Sequence, residues 1–153
     1  MPKFVFRPER VLKFREAQLK MEKAKIEALR RREENLREAV HLKEQQLREA
    51  ILQTTGQTLL PAADLNALEL YRLRSDRERA ELHAAIAQIA KDIERQKVAV
   101  RGAQTSVRLL ENLRERRKVD WLTGQNRELE ELVSEFTSAK WVRQSNRDRQ
   151  IEE

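Results

Sequence analysis

Hydrophobic residues recur at alternating steps of four and three in the middle of this chain, from residue 82 to residue 110. Eight of the nine positions at this spacing are apolar, which is typical of a coiled-coil helix whose seam packs on a partner. Several of them are isoleucine or valine, which form isolated helices poorly, so a partner surface must favour them here. The nine positions are Leu82, Ile86, Ile89, Ile93, Gln96, Val100, Ala103, Val107 and Leu110.

A second, less regular seam lies nearer the N-terminus. One heptad position is apolar except at Glu33, whereas the position three residues further on mixes apolar and charged residues. This pattern predicts a second helix that packs on the first through an imperfect seam. The first position holds Leu12, Leu19, Ile26, Val40 and Leu47, and the second holds Arg15, Glu22, Leu29, Leu36, Lys43 and Ala50.

The two seams are separated by one stretch that disfavours helix, ILQTTGQTLLPAAD at residues 51–64. Gly56 is expected to end the first helix in a left-handed conformation, and Pro61 suits the first turn of the next helix. Asp64 would then lie at the positive end of the helix dipole. A connection this short favours antiparallel neighbours. The predicted fold is all-α, a single elongated domain with helix 1 at 8–54, a turn at 55–61, helix 2 at 62–143 and a frayed end at 144–153.

The second helix is predicted to be longer than the first can cover. With a turn centred near residue 57, residue i faces roughly residue 114 minus i, so cover ends between Val107 and Leu113. Phe4 and Phe6 are expected to close the seam there, and about 40 residues project beyond it, some 60 Å of helix. The leucines expected to receive the two phenylalanines are Leu109, Leu110 and Leu113.

The projecting part carries an apolar stripe. Leu122, Leu129, Leu132 and Phe136 keep the spacing of one helical face, and Gly124 weakens the helix locally by about 1 kcal/mol relative to alanine. An apolar stripe with no partner in the chain usually marks a binding surface. Self-association and folding back onto the hairpin are the alternatives. The apolar residues of this part are Trp121, Leu122, Leu129, Leu132, Val133, Phe136 and Trp141.

Composition supports long helices and excludes several classes of protein. Charged residues make up 38% of the chain and aromatic residues only 5%, a balance typical of coiled coils. The absence of cysteine excludes disulfides and thiolate metal sites. No apolar run approaches the roughly 20 residues of a membrane span, and no secretory signal is evident, so a cytosolic protein is expected. The net charge of +6 lies mainly in residues 1–56. The charged side chains of this arm are best explained as the solvated surface of a helix that carries ion pairs.

No catalytic arrangement is found in the sequence. His41 and His83 fall on opposite arms, and the facing rule places them roughly 15 Å apart along the hairpin. Neither has the spaced histidine or carboxylate neighbours of a helical zinc site, and no glycine-rich loop could hold a phosphate. We therefore expect no enzyme activity, no cofactor, no metal and no small-molecule substrate.

Two stretches resemble the flagellar export protein FliJ family. FVFRPERVLKFREAQLKMEKAKI at 4–26 is similar to the opening of that family, a phenylalanine-containing segment followed by a helix that begins E-R-V-L. LLENLRERRKVDWLTGQNRELEELVSEF at 109–136 is similar to its C-terminal helix. The chain departs from the family at Ser134, where an acidic residue is more common, and at Gly102 and Gly124.

The resemblance implies a coiled-coil stalk and chaperone of the flagellar type III export apparatus. Such a protein would be cytoplasmic, peripheral to the inner membrane, and would bind the export ATPase ring, the membrane export gate protein and export chaperones. Tyr71 matches the aromatic residue that the family places after the turn for gate binding. The residues expected to contact the ring electrostatically are Arg114, Arg116, Arg117 and Lys118, with Trp121, Leu122, Leu129 and Phe136 as apolar contacts.

Three other interpretations stay open. An injectisome stalk protein would have the same shape. A helical hairpin that binds structured RNA would use the basic runs at 30–34 and 114–118, although the interleaved Glu33, Glu34 and Glu115 repel phosphates and make nucleic acid a less favoured partner. A structural homodimer without a specific client would use the ragged first seam as its interface.

Overall fold

The protein consists of two long α-helices in the computed structural model, which describes residues 3–151, with the backbone alone for 148–151. Helix α1 spans Glu9–Thr55 and helix α2 spans Ala62–Ile151, and the described residues contain no strand. The predicted fold class is confirmed. Helix α1 begins and ends one residue later than predicted, and α2 is helical to Ile151, beyond the residue 143 predicted. No helix within residues 3–151 combines the length and the apolar character needed to cross a bilayer.

The connection between the helices differs from the prediction at Gly56. Its backbone N–H donates to the carbonyl of Leu52 at 3.0 Å, and no glycine among the described residues has a positive φ. The expected left-handed conformation is therefore wrong, and Gly56 instead closes a normal helical turn. A Cβ at this position would lie 3.0 Å from the Leu52 carbonyl oxygen, which is a close contact, and glycine avoids it because it has no Cβ. The carbonyl of Pro61 accepts from the N–H of Asp64 at 3.0 Å and thereby starts α2.

Contacts divide the chain into two units. One is the hairpin Arg15–Thr105, in which most of α1 and the first half of α2 pack side by side. Its buried apolar residues are Ile26 and Val40 from α1 and Ile89 and Ile93 from α2. All four occupy seam positions expected from the heptad spacing. The other unit combines the residues up to Phe14 with those from Ser106 onward.

Polar side chains occupy seam positions of the hairpin and pair across it. The Gln96 side-chain amide donates to the backbone carbonyl of Glu22 at 3.0 Å and also to the Glu22 carboxylate. Nearer the turn, the Lys43 ammonium lies 2.5 Å from the Glu78 carboxylate. A slip by one helical turn would separate both pairs, so these contacts specify the register of the two helices.

These pairs correct the predicted register. Glu22 contacts Gln96, four residues beyond the expected position 92, and Lys43 contacts Glu78 rather than Tyr71. The midpoint of the connection does not determine which residues face each other. The seam residues that pair across the hairpin determine which residues face each other. Next to the turn, Leu52 and Leu65 are exposed and are not packed between the helices.

Acid is expected to destabilise the hairpin through two of these carboxylates. The hydrogen bond from Gln96, and then that from Lys25, lowers the pKa of Glu22, and the hydrogen bond from Lys43 lowers the pKa of Glu78. In the unfolded chain both groups protonate near the ordinary pKa of about 4.3, so the unfolded state binds more protons as the pH falls below that value. Their stabilisation is therefore complete above about pH 5 and is lost progressively below it.

Thermal unfolding followed by circular dichroism between neutral pH and pH 3 measures this loss. Replacing Glu22 with glutamine should flatten the dependence of the midpoint on pH. Replacing Glu16, an exposed glutamate of the same helix, should leave the dependence unchanged. A midpoint that rises on acidification would contradict the assignment.

Candidate interaction surfaces

The chain's N-terminal segment packs on α2 within its own unit. Leu12 is completely buried, and Phe6 and Val107 are also buried. The Glu9 N–H donates to the Phe6 carbonyl at 3.1 Å and the Leu12 N–H to the Pro8 carbonyl at 3.0 Å, so the segment turns directly into α1. Burial of Phe6 fits its expected place at the end of the seam. Leu109, expected beside it, is exposed instead.

Two of the residues expected to contact a ring already have partners in the chain. The rings of Phe4 and Trp121 lie with their centroids 6.0 Å apart at a tilt of 54°. Arg114 Nη1 lies 3.7 Å from Glu9 Oε1. Trp121 and Arg114 are accordingly half-buried. The N-terminal segment thus reaches as far as residue 121 along α2.

Most side chains of residues 122–147 are exposed, and we call residues 119–142 the distal segment. Leu122, Leu129 and Phe136, all predicted as ring contacts, have 45%, 49% and 76% of their surface exposed. The remaining large apolar residues exposed in this segment are Val119, Leu132, Val133, Trp141 and Val142.

Basic residues precede the distal segment along α2, and acidic residues lie within it. Arg116, Arg117 and Lys118 are exposed, and within the described residues Arg114 alone of the basic cluster has an ion-pair partner. A short way along the helix, residues 128–135 contain four glutamates and no basic residue. A partner surface that follows α2 would therefore meet positive charge first, and then an apolar stripe flanked by negative charge.

A second exposed apolar surface lies at the tip of the hairpin. Tyr71, predicted as the gate contact, is 38% exposed. Leucines surround it in sequence on both sides of the connection, and Leu59 is the most exposed of them at 87%. Ser75, one turn beyond Tyr71, is buried and faces the seam. The exposed residues of this tip are Ile51, Leu52, Leu59, Leu60, Leu65, Leu70, Tyr71 and Leu73.

The tip leucines were not singled out in the sequence, although a signal was present. In residues 51–68 the only charged residue is Asp64, in a chain of which 38% is charged. A solvated helical hairpin would be expected to carry charge at its tip as it does elsewhere. The lack of charge, together with exposed leucine, indicates a surface that contacts another molecule.

The two histidines line a common groove. His41 and His83 enclose a volume of about 230 Å³ together with Arg37, Val40, Glu44 and Ile86. The predicted separation of roughly 15 Å depended on the facing rule, and the observed register differs from that rule. Among the side chains that the structure describes, those of residues 3–147, no group of three or more histidine, aspartate or glutamate residues could hold a metal ion.

Comparisons with known proteins give no match. No protein family model matches the sequence, and neither a curated protein nor a solved structure is detectably similar to it.

Proposed function

We propose that the protein is a non-enzymatic coiled-coil stalk of the bacterial flagellar type III protein export apparatus. It binds the ring of the export ATPase through the basic cluster 114–118 and the distal segment. It contacts the membrane export gate through the tip of the hairpin, and it works in the cytoplasm beside the inner membrane. Export chaperones are its further partners. An injectisome stalk would use the same surfaces.

The observation that carries this proposal is the exposed distal segment beside the basic cluster. The exposed side chains of Arg116, Arg117 and Lys118 are three cations that could pair with acidic loops on a ring. Leu122, Leu129 and Phe136 present apolar side chains that burial in a partner would stabilise by about 1.5–3 kcal/mol each. A partner that contacts both sets gains affinity from the apolar residues and orientation from the charges.

The tip of the hairpin supports the second contact. Tyr71 and the leucines near it form an apolar surface with one charged residue between positions 51 and 68. It belongs to the hairpin unit, whereas the distal segment belongs to the other unit. A linking protein requires two such separate binding surfaces, and the chain offers both.

Reversing the free charges of the basic cluster is expected to weaken ATPase binding. The variant Arg116→Glu, Arg117→Glu, Lys118→Glu should bind the purified export ATPase about tenfold more weakly or worse, because like charges would then meet at the ring. Binding of the unmodified chain should weaken as salt is added, and binding of the variant should depend less on salt. Isothermal titration calorimetry at two ionic strengths measures both effects.

The chain contains a matched control. Arg30, Arg31 and Arg32 form a run of three exposed basic residues on α1, and their reversal to glutamate changes the net charge equally. That control should keep ATPase affinity within about twofold, as expected for surface substitutions away from a binding site. Equal losses in the two variants would mean that only net charge matters, and the ring site would be wrongly assigned.

Binding of structured RNA is the second candidate, and one groove favours it. Lys23, Arg30, Lys97 and Arg101 surround a groove of about 510 Å³ between the helices of the hairpin. Two of these cations are already paired, Arg30 with Glu27 and Lys97 with Glu94. If RNA were the partner, the Arg30–Arg32 reversal would abolish RNA binding, and log affinity would fall steeply with log salt concentration.

A further inference from the structure

The exposed residues of the distal segment form a second heptad pattern, distinct from the seam of the hairpin. Starting at Val119, steps of three and four lead through Leu122, Asn126, Leu129 and Val133 to Phe136. We call these six residues the distal stripe. All six are exposed along the continuous helix α2. A heptad stripe of this kind buries its side chains by packing on another helix with the same spacing.

The residue types along the distal stripe indicate how many helices would pack together. In heptad notation Val119 and Val133 occupy a positions, and Leu122 and Leu129 occupy d positions. Valine at a with leucine at d favours two-stranded coiled coils over larger assemblies. Phe136 ends the stripe, because Lys140 and Arg143 occupy the next two seam positions.

Asn126 is the one polar residue of the distal stripe, and it occupies an a position. A single asparagine at a specifies register and strand number in parallel pairs, because its amide can both donate to and accept from the same residue of the partner helix. In an antiparallel pair that keeps the apolar residues together, Asn126 would instead face Leu129 of the partner copy. A buried amide without a hydrogen-bond partner is costly, so the parallel arrangement is favoured.

The charges of the distal segment are compatible with this arrangement. Three of its four glutamates, Glu128, Glu131 and Glu135, lie at heptad positions that point away from the seam. In a parallel pair the fourth, Glu130, lies opposite Gln125 of the partner copy, and Lys118 lies opposite its Thr123. No like charges therefore oppose one another along the stripe, although the segment is strongly acidic.

We infer that the distal stripe binds a second copy of this chain as a parallel, in-register, two-stranded coiled coil. This inference stands on the heptad pattern and does not require the proposed export function. It differs from a homodimer through the first seam, which the hairpin already uses. If the proposed function also holds, the dimer covers Leu122, Leu129 and Phe136, so a second copy and the ATPase ring compete for them.

The oligomeric state of the purified full chain tests the inference without any partner protein. Sedimentation equilibrium across the micromolar range should show a reversible monomer–dimer equilibrium. Val133→Glu places an unpaired charge in the seam and should raise the dissociation constant by at least about 100-fold. Val142→Glu makes the same change at an exposed valine off the stripe and should alter the constant by no more than about twofold. Circular dichroism checks that both variants stay helical.

Cysteine cross-linking determines the orientation, since the natural sequence contains no cysteine. In a parallel dimer Leu122→Cys lies beside the same residue of its partner and should oxidise rapidly to a disulfide-linked dimer. In an antiparallel dimer Leu122→Cys would cross-link only when mixed with Val133→Cys. Gly124→Cys lies outside the seam, where a side chain meets nothing within 4 Å, and is the control that should not cross-link.

Three results would overturn the inference. A chain that stays monomeric throughout the micromolar range has no such dimer. A dimer unaffected by Val133→Glu uses another surface. Cross-linking between positions 122 and 133, with none at 122 alone, shows an antiparallel pair. None of these results bears on ATPase binding, which is measured separately with the ATPase present.

Discussion

Replacement of Leu12 by alanine is expected to lower the free energy of unfolding by about 3 kcal/mol. Leu12 is the one large side chain that is completely buried among the described residues. It lies in the same unit as Phe6 and Val107, which are also buried. Truncation would remove buried apolar surface and leave a cavity, which costs stability unless the surrounding side chains collapse into it. The N-terminal segment should therefore detach from α2 first.

Urea unfolding followed by tryptophan fluorescence measures this effect. In a Trp141→Phe background, Trp121 is the only tryptophan, and its contact with Phe4 makes it a reporter of the N-terminal segment. Leu12→Ala should shift the unfolding midpoint to lower urea concentration. Phe14→Ala, two residues away and 65% exposed, should change the free energy of unfolding by less than about 0.5 kcal/mol. Equal effects of the two substitutions would refute the special role of Leu12.

The two helices could be predicted from the sequence, but their register could not. Heptad spacing shows which side chains face a partner, and Gly56 with Pro61 locates the turn. Spacing does not show which residue lies opposite which. Glu22 and Lys43 looked like faults in the first seam, yet they pair with Gln96 and Glu78 and fix the register. Polar residues at seam positions help to determine the register of two helices, and counting only the apolar residues of a heptad overlooks them.

The candidate surfaces were predicted in part. The exposure of Leu122, Leu129 and Phe136 could be predicted, because the sequence gives the first helix too few residues to cover them. The contact between Phe4 and Trp121 could not be foreseen in the same way. Phe4 lies in a non-helical segment, where periodicity gives no information, and its position depends on how the chain enters α1. The ring contact assigned to Trp121 must therefore share that residue with the N-terminal segment.

Polar residues at seam positions occur both in the hairpin and in the distal stripe, and in each they can specify a partner helix. Within the hairpin, polar pairs across the seam specify one partner in one register, and that partner is part of the chain. Asn126 would give the distal stripe the same specificity for a second copy. A partner that leaves the Asn126 amide unpaired would have to compensate through other contacts, such as those with the charges of the basic cluster. Dimerisation would then compete with other partners for the apolar residues of the distal stripe. Only a partner that also binds Arg116, Arg117 and Lys118, such as the proposed ring, would displace the second copy.

A chain that ends at Arg108 is expected to lose export ATPase binding entirely while its hairpin stays helical. The truncation removes the basic cluster and the distal segment, but it keeps the unit Arg15–Thr105 with its polar pairs. It also removes Trp121 and Arg114, so Phe4 and Glu9 lose their partners. A finer variant is needed to separate lost contacts from a loosened N-terminal segment.

Simultaneous replacement of Leu122, Leu129 and Phe136 by alanine provides that variant. Alanine keeps the helix, because it has the highest helix propensity, and Trp121 and Arg114 remain in place. Loss of three apolar contacts at one interface should weaken ATPase binding by at least about 100-fold in calorimetry. A triple-alanine variant that binds with unchanged affinity would show that the ring contacts lie in the hairpin, and the assignment of the distal segment would have to be abandoned.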